Sequence, residues 1–363
     1  MSNRMASLIL AILAIGLVTP LRAQRPITVD EAQGVLAPLV EVYGVSRTER
    51  PVRELVQRYL PGWARAETDT AGNLWVRAGS GDPLVVFMAH LDEIGFRVTG
   101  IRDDGQLLLE AAGGFFTSLY EAEPALVHTG GGIVPGVFTP RDSLVIRHSP
   151  GELRVDVGTS SRVATEALGI LPGATVTMPK QFVRLAGTRA TGRSFDDRVG
   201  CAALLLALSR IDPAKLRHAV AFVWSVREEI GLEGAGVVAD ALGLATGRVH
   251  AIDTFVSADA PLEAKAYAVA PLGQGPVIRA LDNSYAAPPA LVDSLRALAR
   301  GARVPLQYGT TSGGNDGSKF AAWGVPNVAL GWPLRYSHSP VETIDLRDVV
   351  HLAEVVRLIV ERW

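Results

Sequence analysis

Cys201 is the only cysteine among 363 residues. A disulfide framework is therefore excluded, and stability must come from a packed core, with or without metal. Neither charge dominates: 35 lysines and arginines face 37 aspartates and glutamates, a formal net charge of −2. A nucleic-acid backbone would find no basic field here, so nucleic acid is not expected as a partner. Aromatic residues are sparse at 6%. The 37 glycines and 22 prolines together stay well below the roughly one-quarter share of low-complexity chains. What is present is apolar: 48% hydrophobic residues against 20% charged, which excludes a charge-extended disordered chain. At about 150 residues per domain, the length suggests two domains with ample material for a core.

Long apolar runs are missing except at the N-terminus. Ala6 to Val18 (ASLILAILAIGLV) is uncharged, follows Arg4 and is broken by Thr19-Pro20. It is too short for the ~20 residues that span a bilayer. With Ala23 as a small residue before Gln24, Met1 to Ala23 reads as a secretory signal peptide. The expected compartment is the periplasm or the exterior, with no stable membrane span after cleavage. Removal of Arg4 and Arg22 would leave the mature chain slightly more acidic.

Periodicity organises the rest. From Val29 to Tyr59 the pattern is helical, with Leu36, Leu39, Val40 and Tyr43, then Val52, Leu55, Val56 and Tyr59, at the spacing of one helix face. Leu84 to Ala89 (LVVFMA) and Ala219 to Val226 (AVAFVWSV) are short continuous apolar runs, as buried parallel strands are. Val249 to Val256 and Val325 to Leu330 are similar. Helical stretches lie between or after them: Cys201 to Arg210, Ala290 to Arg300, and Leu346 to Arg362. This alternation predicts an α/β fold, a mixed and mostly parallel sheet with helices on both faces. Within Gly200 to Leu206, Cys201 is expected to be an inert core thiol. Residues 98–186 differ. Asp103-Asp104-Gly105, Gly113-Gly114, Gly130 to Gly132, Pro135-Gly136 and Pro172-Gly173 punctuate short β-like segments. They predict a small β-barrel or sandwich inserted into a discontinuous domain of residues 24–97 and 187–363.

Five imidazole or acidic positions fall at the ends of predicted core elements. His90-Leu91-Asp92 follows LVVFMA; residues two apart on a strand share a face, so Asp92 can hold one ring nitrogen of His90 while the other binds metal. Ser194-Phe195-Asp196-Asp197-Arg198 precedes the Cys201 helix, where carboxylates could equally cap the helix. Arg227-Glu228-Glu229-Ile230-Gly231 follows AVAFVWSV, and two carboxylates at the mouth of an apolar strand are costly unless neutralised. Asp253 sits in the apolar run VHAIDTFV, and His338 follows the last strand. His128, His148, His218, His250 and His351 have no such setting. Singly, each position has an ordinary structural reading. Together they suggest one edge of an open sheet, where ligands gather beyond the carboxyl ends of strands. His90, Asp196, Glu229, Asp253 and His338 supply two nitrogen and three carboxylate ligands. That set suits two divalent ions, zinc before cobalt, rather than calcium. Glu228 is left beside a ligand, where a base would act.

Four blocks carry a family resemblance: Ala89-His90-Leu91-Asp92-Glu93-Ile94-Gly95-Phe96, Ser194 to Cys201, Arg227 to Gly231, and His338-Ser339-Pro340-Val341-Glu342. In order, across nearly the whole mature chain, they resemble the glutamyl/tetrahedral aminopeptidases, which are co-catalytic metallopeptidases. Asp156 to Ser161 is similar to that family's inserted domain. The resemblance implies that His90 and Asp253 hold one metal, Glu229 and His338 the other, and that Asp196 bridges them. It implies Asp92 as the residue that orients His90, Glu228 as general base, and Asp197 as a support for Asp196 across a cis peptide. It also implies removal of the N-terminal residue of short peptides by a two-metal-bridged hydroxide. The inserted domain would then dimerise, with self-association extending to dodecamers. A two-metal carboxypeptidase or amide deacylase uses a similar site, and an inactive exported peptide- or metal-binding protein would belong to another class. A cellulase reading conflicts with acids already committed to metal. Two features depart from the family: the export signal, and Asn315 in Thr310 to Gly317, where relatives carry a Gly-Gly-Thr-Asp-like run. The preferred N-terminal side chain is not legible in these motifs.

Overall fold

The computed structural model describes residues 25–140, 153–260 and 266–363. The signal-peptide expectation for Met1 to Ala23, like His148, lies outside the described residues.

In chain order the first strands are β1 (Ala66–Thr68), β2 (Leu74–Ala78) and β3 (Leu84–His90). Next come β4 (Gly95–Ile101), β5 (Leu107–Ala112), β6 (Pro124–Thr129), β7 (Gly132–Phe138), β8 (Arg154–Asp156) and β9 (Thr175–Thr177). They are followed by β10 (Val183–Arg184), β11 (Arg189–Gly192), β12 (Val220–Ser225) and β13 (Thr246–Ala251). A five-stranded sheet of order β1-β2-β12-β3-β13 forms the frame. Its β12-β3-β13 half is parallel and its β1-β2-β12 half antiparallel, so the sheet is mixed.

The apolar run of β3 is continuous because both of its faces are buried. Val85, Phe87 and Ala89 point into a core shared with the helices Val29–Glu41, Phe195–Leu208 and Leu346–Arg362. Leu84, Val86 and Met88 point into a second core under the helix Glu233–Leu242 and the 3-10 segment Asp316–Trp323. Strand β12 divides likewise, Phe222 and Trp224 to the first core and Ala221 and Val223 to the second. Helices thus cover both faces, as the period-2 side-chain alternation of a doubly covered sheet requires. The helix Phe195–Leu208 is buried along its whole length, which explains why its sequence is apolar on every side.

Two expectations need correction. The helical pattern from Val29 to Tyr59 is two helices, Val29–Glu41 and Arg50–Tyr59, with Thr28 and Glu31 forming a capping box on the first. Between them the chain turns so that Gly44 N–H reaches the Glu93 carboxylate and Ser46 reaches Asp92. Val325 to Leu330 is not a strand; only Leu330–Gly331 pairs. Pro326 has no N–H to donate, and Asn327 turns its side chain to Asn315, leaving isolated bridges from Asn327 to Val249 and from Leu330 to Ile252.

Between β3 and β11 the chain closes a six-stranded barrel, β4-β5-β8-β7-β6-β9. Phe96 and Val98 point inward at the normal spacing of two, but the next inward residue of β4 is Ile101. A register shift between Val98 and Gly100 supplies the odd residue. Asp103-Asp104-Gly105 makes the β4–β5 turn, with Gly105 at φ +88°. Among the described residues no helix is long and apolar enough to cross a membrane.

Candidate metal centre

Three adjacent parallel strands end on one edge of the sheet. His90 is the last residue of β3, Glu228 and Glu229 follow β12, and Asp253 follows β13. Asp196 comes from the start of the helix Phe195–Leu208, and His338 from the turn between Leu334 and Glu342, where its φ is +57°.

Asp196 stands between two imidazoles. Its Oδ1 lies 3.0 Å from Nε2 of His90 and its Oδ2 lies 3.1 Å from Nε2 of His338. Each end is completed by another carboxylate: His90, Asp196 and Asp253 form one group, and Asp196, Glu229 and His338 the other. Within each group the ligand atoms lie within 4.8 Å of one another. All five positions singled out as metal ligands in the sequence therefore meet. Glu228 belongs to neither group; its Oε2 is 4.0 Å from His90 Nε2, on the cavity side.

Surrounding groups fix these side chains. Nδ1 of His90 is 3.2 Å from the backbone oxygen of Asp92 and 3.5 Å from its Oδ1. The Asp92 carboxylate also accepts from Ser46 (2.6 Å) and from the N–H groups of Glu228 (2.9 Å) and Glu229 (3.2 Å). It thus holds the Glu228–Glu229 segment as well as the imidazole. The adjacent acids 196 and 197 divide their work. Both have non-helical backbone angles, and the peptide bond between them is cis. Asp197 does the capping, its carboxylate accepting from Gly200 N–H (2.9 Å) and from His90 N–H (2.8 Å). A Cβ on Gly200 would come within 2.2 Å of that carboxylate. Gly200→Ala is expected to cost about 1–3 kcal/mol and to loosen His90, read as a lower Tm with weakened metal affinity.

Sequence reasoning missed several supports. The carbonyl of Gly114, from the barrel, accepts Nδ1–H of His338 at 2.6 Å, which leaves Nε2 free to face the centre. Glu342 accepts the N–H of His338 (3.0 Å) and of Asp196 (3.3 Å), tying the two candidate ligands together. Arg279 is buried, 3.2 Å from the Asp253 carboxylate. A charged residue inside Val277-Ile278-Arg279-Ala280-Leu281 was its only trace in the sequence. Asn315 is also buried; it donates to Asp282 and accepts from Asn327, so the departure at this position is structural. Cys201 is buried in the core with its thiol pushed up by burial.

Electrostatics shows why cations fit. Burial, reinforced by neighbouring acids, raises Glu229 to about 8 and Asp253 to about 7, and holds Glu228 well above the usual carboxylate range. Burial opposes charge on the imidazoles too, yet the facing carboxylates hold His90 and His338 above their ordinary values. Oε1 of Glu229 is buried with no hydrogen-bond partner. Crowded acids, an orphaned carboxylate oxygen and two aimed imidazole nitrogens make a donor set suited to two borderline divalent ions. Over it opens a cavity of about 710 Å³.

His338→Ala is expected to lower metal content from two ions per chain towards one, measured by elemental analysis. Without metal, the folded protein holds protons that the unfolded chain has lost. Raised acids shed theirs only near 7 to 8, and the raised histidines likewise lose their stabilising effect as pH rises past ~6.5. The Tm of metal-free protein should therefore fall between about pH 5 and 8, and added zinc should flatten that slope.

Comparison with known proteins agrees with this geometry. The family model described as M42 glutamyl aminopeptidase matches residues 72–355. The lysyl aminopeptidase of Pyrococcus furiosus is 30% identical over 337 residues, covering 89% of this chain and 95% of that protein. The TET1 peptidase of Pyrococcus horikoshii, which assembles into a tetrahedron or a large octahedral shell, superposes with a TM-score of 0.83 at 32% identity. That match covers 93% of this chain and all of the other. A Thermotoga maritima protein named endoglucanase superposes with a TM-score of 0.74 at 27% identity, covering 90% and 96%. By its matched length and by the blocks around its paired ligand groups, the chain belongs to the M42 family of co-catalytic aminopeptidases.

Proposed function

We propose that this protein is a two-metal aminopeptidase that removes the N-terminal residue from short peptides. The observation that carries the reading is the Asp196 carboxylate, shared between two imidazole-and-carboxylate groups on the floor of one cavity. His90 and Asp253 would hold one ion, Glu229 and His338 the other, and Asp196 both; zinc suits these ligands, with cobalt as the alternative. Such ions, when bound, supply Lewis acidity and lower the pKa of water towards neutrality.

The chain's own groups do the rest. Glu228, committed to neither ligand group and held in a raised range by burial, takes the proton of the attacking water. The same carboxyl then gives that proton to the leaving amine. Asp92 keeps His90 and the Glu228 backbone in register through this cycle. The free amino group of the substrate would bind near the ions or near a carboxylate of the cavity, which would restrict cleavage to the chain end. A glycosidase needs two uncommitted carboxylates at a set separation, and here most of the acids fall in the ligand groups.

The test is a panel of aminoacyl chromogenic substrates on metal-depleted protein with each divalent ion restored. Cleavage of free-amino substrates and not of N-acetylated ones is expected; the reverse would favour a carboxypeptidase or deacylase. The reading includes export, tested by recovery of a chain beginning near Gln24 from the periplasm or medium. It also includes self-association through the barrel, to a dimer or a dodecamer, tested by light scattering.

A further inference from the structure

Resting on that reading, we infer that Glu49 and Asn73 are positioning residues for Glu228, although neither lines the cavity. Together with Asp92 they hold four consecutive N–H groups where the chain leaves β12. Val226 N–H donates to Oδ1 of Asn73 (3.0 Å), and Arg227 N–H to Oε1 of Glu49 (3.1 Å). The N–H groups of Glu228 and Glu229 donate to Asp92. The carbonyls of the same turn are taken by the residues that open the next helix. Gly234 N–H donates to Val226 (3.0 Å), Glu233 N–H to Arg227 (3.1 Å) and Leu232 N–H to Glu228 (2.9 Å). Every backbone polar group from Val226 to Glu228 therefore has a partner. Within this frame Arg227 holds φ +57°, a left-handed value that a non-glycine residue keeps only where its surroundings dictate it.

Each anchor is itself fixed. Glu49 precedes the helix Arg50–Tyr59 at the capping position, yet its side chain gives that helix no hydrogen bond. It is buried and turns back instead, Oε1 also accepting from Arg47 N–H (2.9 Å). Asn73 is buried as well, its amide nitrogen donating to Asp69 (2.8 Å) and to the Gly234 carbonyl (3.1 Å). Those two acceptors determine which way the amide points and leave Oδ1 for Val226. A Cβ on Gly234 would lie 2.4 Å from that Oδ1 and from the Val226 carbonyl, so only glycine lets the helix start this close. A base acts within hydrogen-bond reach of its proton, and an error of about 1 Å in placement costs ~10²-fold in rate. Glu229 is held by its ion once the centre is loaded. Glu228 belongs to neither ligand group, so its place depends on this turn.

Glu49→Gln keeps an acceptor at Oε1, and Glu49→Ala removes it. On the zinc-loaded full chain, with the aminoacyl p-nitroanilide that the parent cleaves fastest, Glu49→Ala is expected to lose ~10–100-fold in kcat. KM should stay within about threefold, with both ions retained. Glu49→Gln should match the parent within about threefold in kcat. Asn73→Asp, equally conservative in shape, should instead fall with Glu49→Ala. Its second oxygen would face the Asp69 carboxylate and the Gly234 carbonyl, where the amide now donates. Hydrogen exchange across Val226 to Glu229 gives a readout independent of turnover. It should be at least ~tenfold faster in Glu49→Ala and Asn73→Asp, and unchanged in Glu49→Gln. Parental kcat in Glu49→Ala, an equal loss in Glu49→Gln, or zinc content falling in step with kcat would overturn the inference while leaving the aminopeptidase reading intact. A parent that cleaves no aminoacyl substrate would overturn that reading, and exchange would still decide whether the clamp holds.

Discussion

Asp196→Asn is expected to empty both metal positions at once. The substitution keeps the shape of the side chain but replaces one carboxylate oxygen with an amide that can only donate. The two oxygens face different imidazoles, at 3.0 and 3.1 Å, so no orientation of the amide serves both groups. Metal content should fall below one ion per chain, and kcat/KM by at least ~10³-fold, which is about 4 kcal/mol of transition-state stabilisation. Because Asp196 is buried and costly to keep charged without its partners, the variant should fold, with a circular dichroism spectrum like that of the parent. Retention of two ions per chain would show that Asp196 is not shared.

Glu228→Gln should do the opposite to the metals and nearly the same to turnover. Glu228 is in neither ligand group, so both ions stay. Glutamine can neither take a proton from water nor return it to an amine, and kcat should fall ~10²–10⁴-fold with little change in KM. A variant with two ions and parental kcat would remove Glu228 as the base. Read together, the two substitutions separate holding the centre from using it.

Local signals made much of the fold and site legible. The runs LVVFMA and AVAFVWSV announce doubly covered strands because burial on both faces leaves no polar alternation to hide them. Their ends carry His90 and the Glu228–Glu229 pair because the edge of a parallel sheet is where side chains from distant segments converge. Asp253 was conspicuous as an acid within an apolar run. Gly114 acts through its backbone carbonyl, for which a sequence has no letter. Arg279 and Glu342 work through partners 26 and 146 positions away, respectively, and periodicity carries no long-range pairing. The break between the first two helices was hidden for a related reason. Gly44 and Ser46 serve Glu93 and Asp92, and that demand overrides the helical pattern on either side.

The barrel is more than an attachment to the five-stranded sheet. Gly114 fixes a ring nitrogen of His338, and Phe115 and Phe116 line the same cavity as Glu228. Removal of the barrel should therefore cost the site one of its walls and the orientation of one imidazole.

Anomalous diffraction at the zinc edge, from crystals of the zinc-loaded protein, tests the central claim most directly. Two peaks are predicted, one on each side of the Asp196 carboxylate, the first beside His90 and Asp253 and the second beside Glu229 and His338. A single peak, or a zinc ion bound without Asp196, would contradict it.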